Sequence, residues 1–238
     1  MPAYFSTYIV LLIISAAITF SASLTARKRK APGSSTLTAL LVALSMWSAF
    51  SAAQYIQEGF AAKFFWLNVM VVPVAAVPIL FMNFILKFSG NTVWFTRRTL
   101  IAFFVFSIAF ILLQWTNSYH HLVLSSVQLV EQDGFPVLEI QRGPIYFVNL
   151  ALAYSTVTIG TLTLMREALR ASNLYRNQYR LLLLGCIIPF AFSIYSQIKY
   201  ISFSSLDISP ISFGITGVIF VAATLRTHFM DLIPVARS

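Results

Sequence analysis

Seven stretches of this sequence, at 4–26, 35–57, 63–88, 99–115, 145–168, 181–201 and 210–227, are apolar almost throughout. A helix needs about 20 such residues to cross the hydrocarbon layer of a bilayer. The stretches take up most of the 238 residues and leave little chain for a soluble domain. The fold class that follows is an all-α integral membrane protein, a seven-transmembrane-helix bundle. Composition agrees: 58% of residues are apolar and only 10% charged, whereas soluble domains run near half and a quarter. The single cysteine, Cys186, can form no internal bridge.

Charge orients the bundle. Arg27, Lys28, Arg29 and Lys30 follow the first stretch directly and no positive charge precedes it, so it reads as an anchor with its N-terminus outside rather than a cleaved signal peptide. Alternating through seven spans then collects these four with Lys87, Arg97 and Arg98; with Arg166, Arg170, Arg176 and Arg180; and with Arg226 and Arg237 on the cytoplasmic side. Only Lys63, Arg142 and Lys199 remain outside, with Glu58, Glu131, Asp133, Glu139 and Asp207. The segregation is what the positive-inside rule demands, and an even number of spans destroys it. The basic excess therefore serves orientation, and no nucleic-acid partner is expected.

The long connection, 116–144, falls on the outer side. It carries β-compatible runs at 122–130 and 135–140 around Asp133-Gly134, a hairpin signal. An isolated strand pair is marginal, so this extracytoplasmic β-hairpin between helices 4 and 5 is expected to lean on the helix ends as a lid. Ser209 before Pro210 reads as an N-cap with a first-turn proline opening the last helix.

Catalysis is not expected. Nucleophilic and metal chemistry need convergent Ser, His, Cys or carboxylate groups. The chain has three His, one Cys and no acid near the middle of a span. No glycine-rich phosphate loop or zinc-ligand spacing occurs, pumping would leave ionisable groups at mid-depth, and the seventh span has no lysine for a retinal Schiff base. His120 and His121 are adjacent and cannot easily share an ion on a helix. No metal and no cofactor are expected.

The outer helix ends are richer. Tyr55 closes the second span beside Gln54, Trp66 and Asn68 open the third, and Trp115, Asn117 and His120 leave the fourth beside Gln114. Tyr146 and Asn149 begin the fifth, and Tyr195, Lys199 and Asp207 stand where the sixth meets the seventh. An aromatic belt explains any one of them. Together they make aromatic walls with few hydrogen-bonding groups, the composition of a small-molecule pocket, so these eleven are the candidate ligand-binding residues. Tyr146, Asn149, Ala153, Thr156, Gly160 and Thr163 recur at helical spacing as a small, polar stripe, which normally packs on another helix. Pro73, Pro78 and Pro189 favour kinks. The basic loop at 169–180 suits anionic lipid or a downstream domain.

Certain runs have a family look: F-W-L-N at 65–68 followed by Pro73 and Pro78, T-N-S-Y-H-H-L at 116–122, Y-R-N-Q-Y-R with L-L-L-L-G at 175–185, D-I-S-P-I at 207–211 and D-L-I-P-V-A-R at 231–237. In this order the chain resembles, over nearly its whole length, the N-terminal seven-transmembrane sensor region of prokaryotic histidine kinases, found also before diguanylate cyclases. The resemblance implies a multi-pass module of the inner (cytoplasmic) membrane. Residues 1–230 would be the sensor domain and 231–238 the start of a linker to a cytoplasmic output domain on the same polypeptide.

The expected function is therefore sensory input to a two-component phosphorelay, without catalysis in this chain. Its partners would be an unknown small-molecule or lipid ligand, the membrane lipids and the output domain, with room for a homodimer. A small transporter or lipid-handling protein remains the alternative, marked by a polar route to the cytoplasmic side. A passive anchor would have no cavity.

Overall fold

The computed structural model of the chain describes residues 3–28, 33–90, 97–132, 134–171, 173–202 and 207–226. The long helices are α1 (Ala3–Arg27), α2 (Ser34–Ile56), α3 (Phe60–Ser89), α4 (Arg97–Trp115), α6 (Pro144–Arg170), α7 (Asn173–Ser202) and α8 (Ser209–Arg226). A one-turn helix α5 (Asn117–His120) and strands β1 (Leu124–Gln132) and β2 (Phe135–Arg142) lie between α4 and α6. Among the described residues α1, α2, α3, α4, α6 and α7 are long and apolar enough to cross a membrane, and α8 is apolar over a shorter length. Apolar side chains point both ways: on α1, Phe5 and Leu12 are buried while Val10, Ile13 and Ile14 are exposed. A helix that is hydrophobic all round has hydrocarbon on every side, from protein or from lipid.

Helix packing runs α1–α2–α3–α6–α7–α8 and back to α1, so six helices close a ring, with α2 also touching α8. α4 stands outside the ring on α3, and no extended seam joins it to α6 or α7 among the described residues. Lipid tails are as apolar as leucine, so tight packing and interhelical hydrogen bonds hold such a ring rather than the hydrophobic effect. Ser15 of α1 and Ser48 of α2 both donate to the Pro210 carbonyl of α8, at 2.7 and 3.0 Å. Ser45 of α2 donates to the Ala16 carbonyl at 2.8 Å. α3 and α6 close on each other at Gly160, where a Cβ would sit 2.7 Å from the Phe81 ring. Leu41, Phe84, Ile85, Leu164 and Leu182 fill the core at this end of the bundle.

The prolines open the helix ladders and neighbouring helices answer. Pro189 inside α7 has no N–H for the Gly185 carbonyl one turn back, and Thr216 of α8 donates to that oxygen at 2.8 Å. Pro78 likewise leaves the Val74 carbonyl of α3 without its donor, and Ser107 of α4 donates to the next carbonyl along, that of Ala75, at 3.3 Å. Such re-satisfaction is how interrupted helices survive in hydrocarbon.

β1 and β2 pair antiparallel, with Val127 opposite Ile140, Leu129 opposite Leu138 and an irregularity between Leu124 and Ser126. Successive strand residues point to opposite faces, yet both Val137 and Leu138 are buried. Val137 packs with Phe5, Tyr8 and Tyr55, and Leu138 with Leu67, Val71 and Phe110. The hairpin is thus wedged between α1–α2 on one side and α3–α4 on the other. Gly143 forms its neck: its N–H reaches the Val123 carbonyl at 2.8 Å, and any side chain there would collide with the Leu122 backbone.

Two local features differ from the sequence expectation. α7 begins at Asn173 rather than after Arg180, because hydrophobic length measures the hydrocarbon layer while a helix can continue into the polar zone. At the start of α8 it is the Asp207 carboxylate that accepts the Ser209 N–H, at 2.9 Å, in the manner of a cap. Arg29, Lys30, Asp133 and the ending at 231–237 lie outside the described residues, as do the side chains of Arg97, Tyr175, Lys199, Tyr200 and Arg226.

Candidate functional site

The ring encloses a cavity of about 300 Å³, lined by α2, α3, α6, α7 and α8, with α4 and the hairpin adding to its walls. That is the size at which small-molecule sites begin. Its lining changes character along the bundle. At the hairpin end it carries Gln54, Gln114, Arg142, Asn149, Gln197 and Asp207. Toward the opposite end the walls are Leu40, Leu44, Phe81, Phe84, Phe103 and Val157.

Polar groups that line the deeper walls have their hydrogen bonds within the protein. Ser107, Thr156 and Thr216 donate to the carbonyls of Ala75, Leu152 and Gly185. The exception is Trp47 of α2, which lines the cavity and packs on Phe213 with ring centroids 5.0 Å apart. Its buried indole N–H has no hydrogen-bond partner among the described residues.

At the polar end, α6 and α7 are joined by two tyrosines. The Tyr146 hydroxyl donates to Gln197 Oε1 at 3.1 Å, and two turns deeper Tyr154 and Ser193 share a bond of 2.7 Å. The Arg142 guanidinium lies over the Tyr146 ring, 4.6 Å from its centroid, a cation–π arrangement. Across the cavity, Gln114 Nε2 on α4 donates to Asn68 Oδ1 on α3 at 2.8 Å, and both residues are buried.

Of the residues the sequence puts forward, Tyr55, Tyr146, Asn149 and Asp207 line the cavity. Asn68 stands behind the wall, bonded to Gln114, which does line it. Trp66 lies beside Phe50 and Phe65, with centroids 5.6 Å from each. Trp115 and Tyr195 are 47% and 53% exposed, as members of a lipid-facing belt are. The Asn117 side chain is committed to the hairpin: its Oδ1 accepts from the Val123 and Leu124 N–H groups at 3.0 Å each, and its Nδ2 donates to the Leu124 carbonyl at 2.9 Å. His120 accepts the Leu122 N–H on Nδ1 at 3.0 Å. The side chain of Lys199 is not among those described.

The sequence reading passed over Arg142, Tyr154 and the part played by Lys63. Arg142 ends β2 immediately before the Gly143 neck, which carries it to the mouth of α6. Tyr154 lies two helical turns from Tyr146 on α6, a spacing visible in the sequence. Lys63 is buried, with its ammonium 3.3 and 3.4 Å from the Gln54 and Tyr55 carbonyls at the end of α2 and 4.9 Å from the Phe135 ring centroid. It neutralises carbonyls that a helix C-terminus leaves without partners and ties the α2–α3 turn to the hairpin. Among the described residues no three of His, Cys, Asp and Glu gather closely enough to hold a metal ion.

A family model described as the N-terminal 7TM region of histidine kinase matches residues 10–234. No curated protein matches the chain.

Proposed function

Given that this chain belongs to the N-terminal 7TM regions of histidine kinases, a membrane part of signal-transducing sensor kinases, we propose that it is the ligand-sensing input module of such a kinase. In this reading α8 is the seventh span and the N-terminus and hairpin lie outside. The cytoplasmic kinase continues the same polypeptide, in the inner membrane and as a homodimer. A small ligand enters the ring cavity and biases the packing of α7 and α8, the last elements before the cytoplasm. A ligand drives output only through unequal affinity for two arrangements. The observation that carries the reading is the cavity inside the ring, polar toward the hairpin and bordered by the Pro189 break where α7 leans on α8.

A transporter of polar solutes would need a hydrophilic route to the far end, and the apolar deeper walls speak against one. The test is made in the parent kinase. Ala153→Phe fills the cavity from α6, while Leu162→Phe places the same ring on the outer face of that helix, where Leu162 is 59% exposed. Ala153→Phe is expected to change basal autophosphorylation and Leu162→Phe to leave it unaltered. Equal behaviour of the two would remove the cavity from signalling. Cysteine at the exposed Ser125 should react with an impermeant thiol reagent from outside the cell and cysteine at Lys28 should not; the reverse result would invert the topology.

A further inference from the structure

The cavity reaches beyond the ring that encloses it. α4 is not a ring member, yet Phe103, Phe106 and Phe110 of α4 line the cavity. α3 and α6 meet tightly at Gly160 and Phe81, and no extended seam joins α4 to α6 among the described residues. The lining thus extends past the ring to a helix that faces the bilayer: Phe104, Val105 and Leu112 of α4 are each more than half exposed.

Depth supplies the second observation. Along α2 the lining runs from Tyr55 to Leu40, which at the helical rise spans about 22 Å. Groups able to bond a ligand head gather at the hairpin end, at Gln54, Asn149 and Arg142. Further in, the walls are aliphatic and aromatic, and the hydroxyls of Thr156 and Thr216 are bonded to backbone. A site extended along the bundle, polar at one end, apolar below and bordered by the exposed helix α4, matches one shape of molecule.

Resting on the receptor reading above, we propose that the ligand is a long single-chain amphiphile taken from the bilayer, a fatty acid or fatty alcohol. Its oxygen head bonds at the Arg142–Asn149 end and its chain lies along α2 and α6 past Ala153 and Val157. A two-chain phospholipid is too wide for a cavity of this volume, and a sugar or amino acid would leave its polar groups unpaired against the phenylalanines.

Trp47 sits within the cavity wall and reports on the chain. The full chain carrying Trp66→Phe, Trp94→Phe and Trp115→Phe is placed in nanodiscs of saturated phosphatidylcholine. Dibromostearic acid and dibromostearyl alcohol are added as quenchers of the remaining indole. Saturable quenching that unbrominated stearic acid or stearyl alcohol displaces is expected. Response to the acid alone identifies a carboxylate head, and response to both an uncharged oxygen head; either supports the proposal. Ala153→Phe is expected to weaken the saturable phase about tenfold or more, or roughly 1.4 kcal/mol. Val157→Phe serves if the first variant loses its thermal transition. Quenching that merely tracks bromine content, equally strong with dibrominated phosphatidylcholine and indifferent to both fillings, overturns the proposal. If that result accompanies an altered autophosphorylation in Ala153→Phe, the receptor reading survives and only the ligand class falls.

Discussion

The Thr216 hydroxyl stands 2.8 Å from the Gly185 carbonyl oxygen, the acceptor that Pro189 leaves without its intrahelical donor. Two helices thus share one hydrogen-bond ladder. Thr216→Val keeps the shape and removes the donor, stranding a buried carbonyl at an expected cost of about 1–3 kcal/mol. In a Pro189→Ala background the restored N–H takes that carbonyl, so the same substitution should be nearly neutral. Thermal unfolding across this double-mutant cycle measures the coupling; an equal loss in both backgrounds would show that the bond does not compensate for the proline.

Asn68 and Gln114 form the buried clasp between α3 and α4. Asn68→Leu leaves the Gln114 amide without its acceptor and should destabilise by about 1–3 kcal/mol. Adding Gln114→Leu should recover part of that loss, because removing both partners is cheaper than removing one. Amide hydrogen exchange resolved to α4 gives the readout: faster exchange in the single variant than in the double is expected. The opposite order contradicts the clasp.

Gly160 admits the Phe81 ring where a methyl group would lie 2.7 Å from it. Gly160→Ala should force α3 and α6 apart and lower stability by about 1–3 kcal/mol. Phe81→Leu in the same chain should relieve the clash. A melting temperature that the alanine leaves unchanged would mean the two helices separate without penalty.

Asn117 holds the first residues of the hairpin through three hydrogen bonds. Asn117→Ala should free the loop to limited proteolysis between 124 and 142. Asn117→Asp keeps the acceptor for both N–H groups and should be cut more slowly than the alanine variant. Identical digestion of the two would shift responsibility for hairpin order to its apolar wedging.

Much of this architecture is legible in the sequence, because a helix in hydrocarbon must be long and apolar and Phe, Leu and Val supply both properties along each stretch. The family that the sequence resembles is also the one whose model matches. Seams between distant helices are less legible. Nothing in the local sequence of α6 says that Gly160 will meet Phe81, since closure of α3 on α6 is a property of the ring. Likewise Asn117 and Asn149 are the same residue type at helix ends near the hairpin. The first is taken up by backbone groups a few residues onward and the second lines the cavity, and only the folded path separates them. Lys63 reads as an outer surface charge until the α2 carbonyls and Phe135 are seen around it.

α4 borders the cavity yet belongs to no seam of the ring. A door hung outside a closed frame can swing without loosening the frame. Under the receptor reading proposed above, admission of a guest would fall to α4 and the relay to α7 and α8, so that the residues of α4 could be retuned without altering the seams that carry the message.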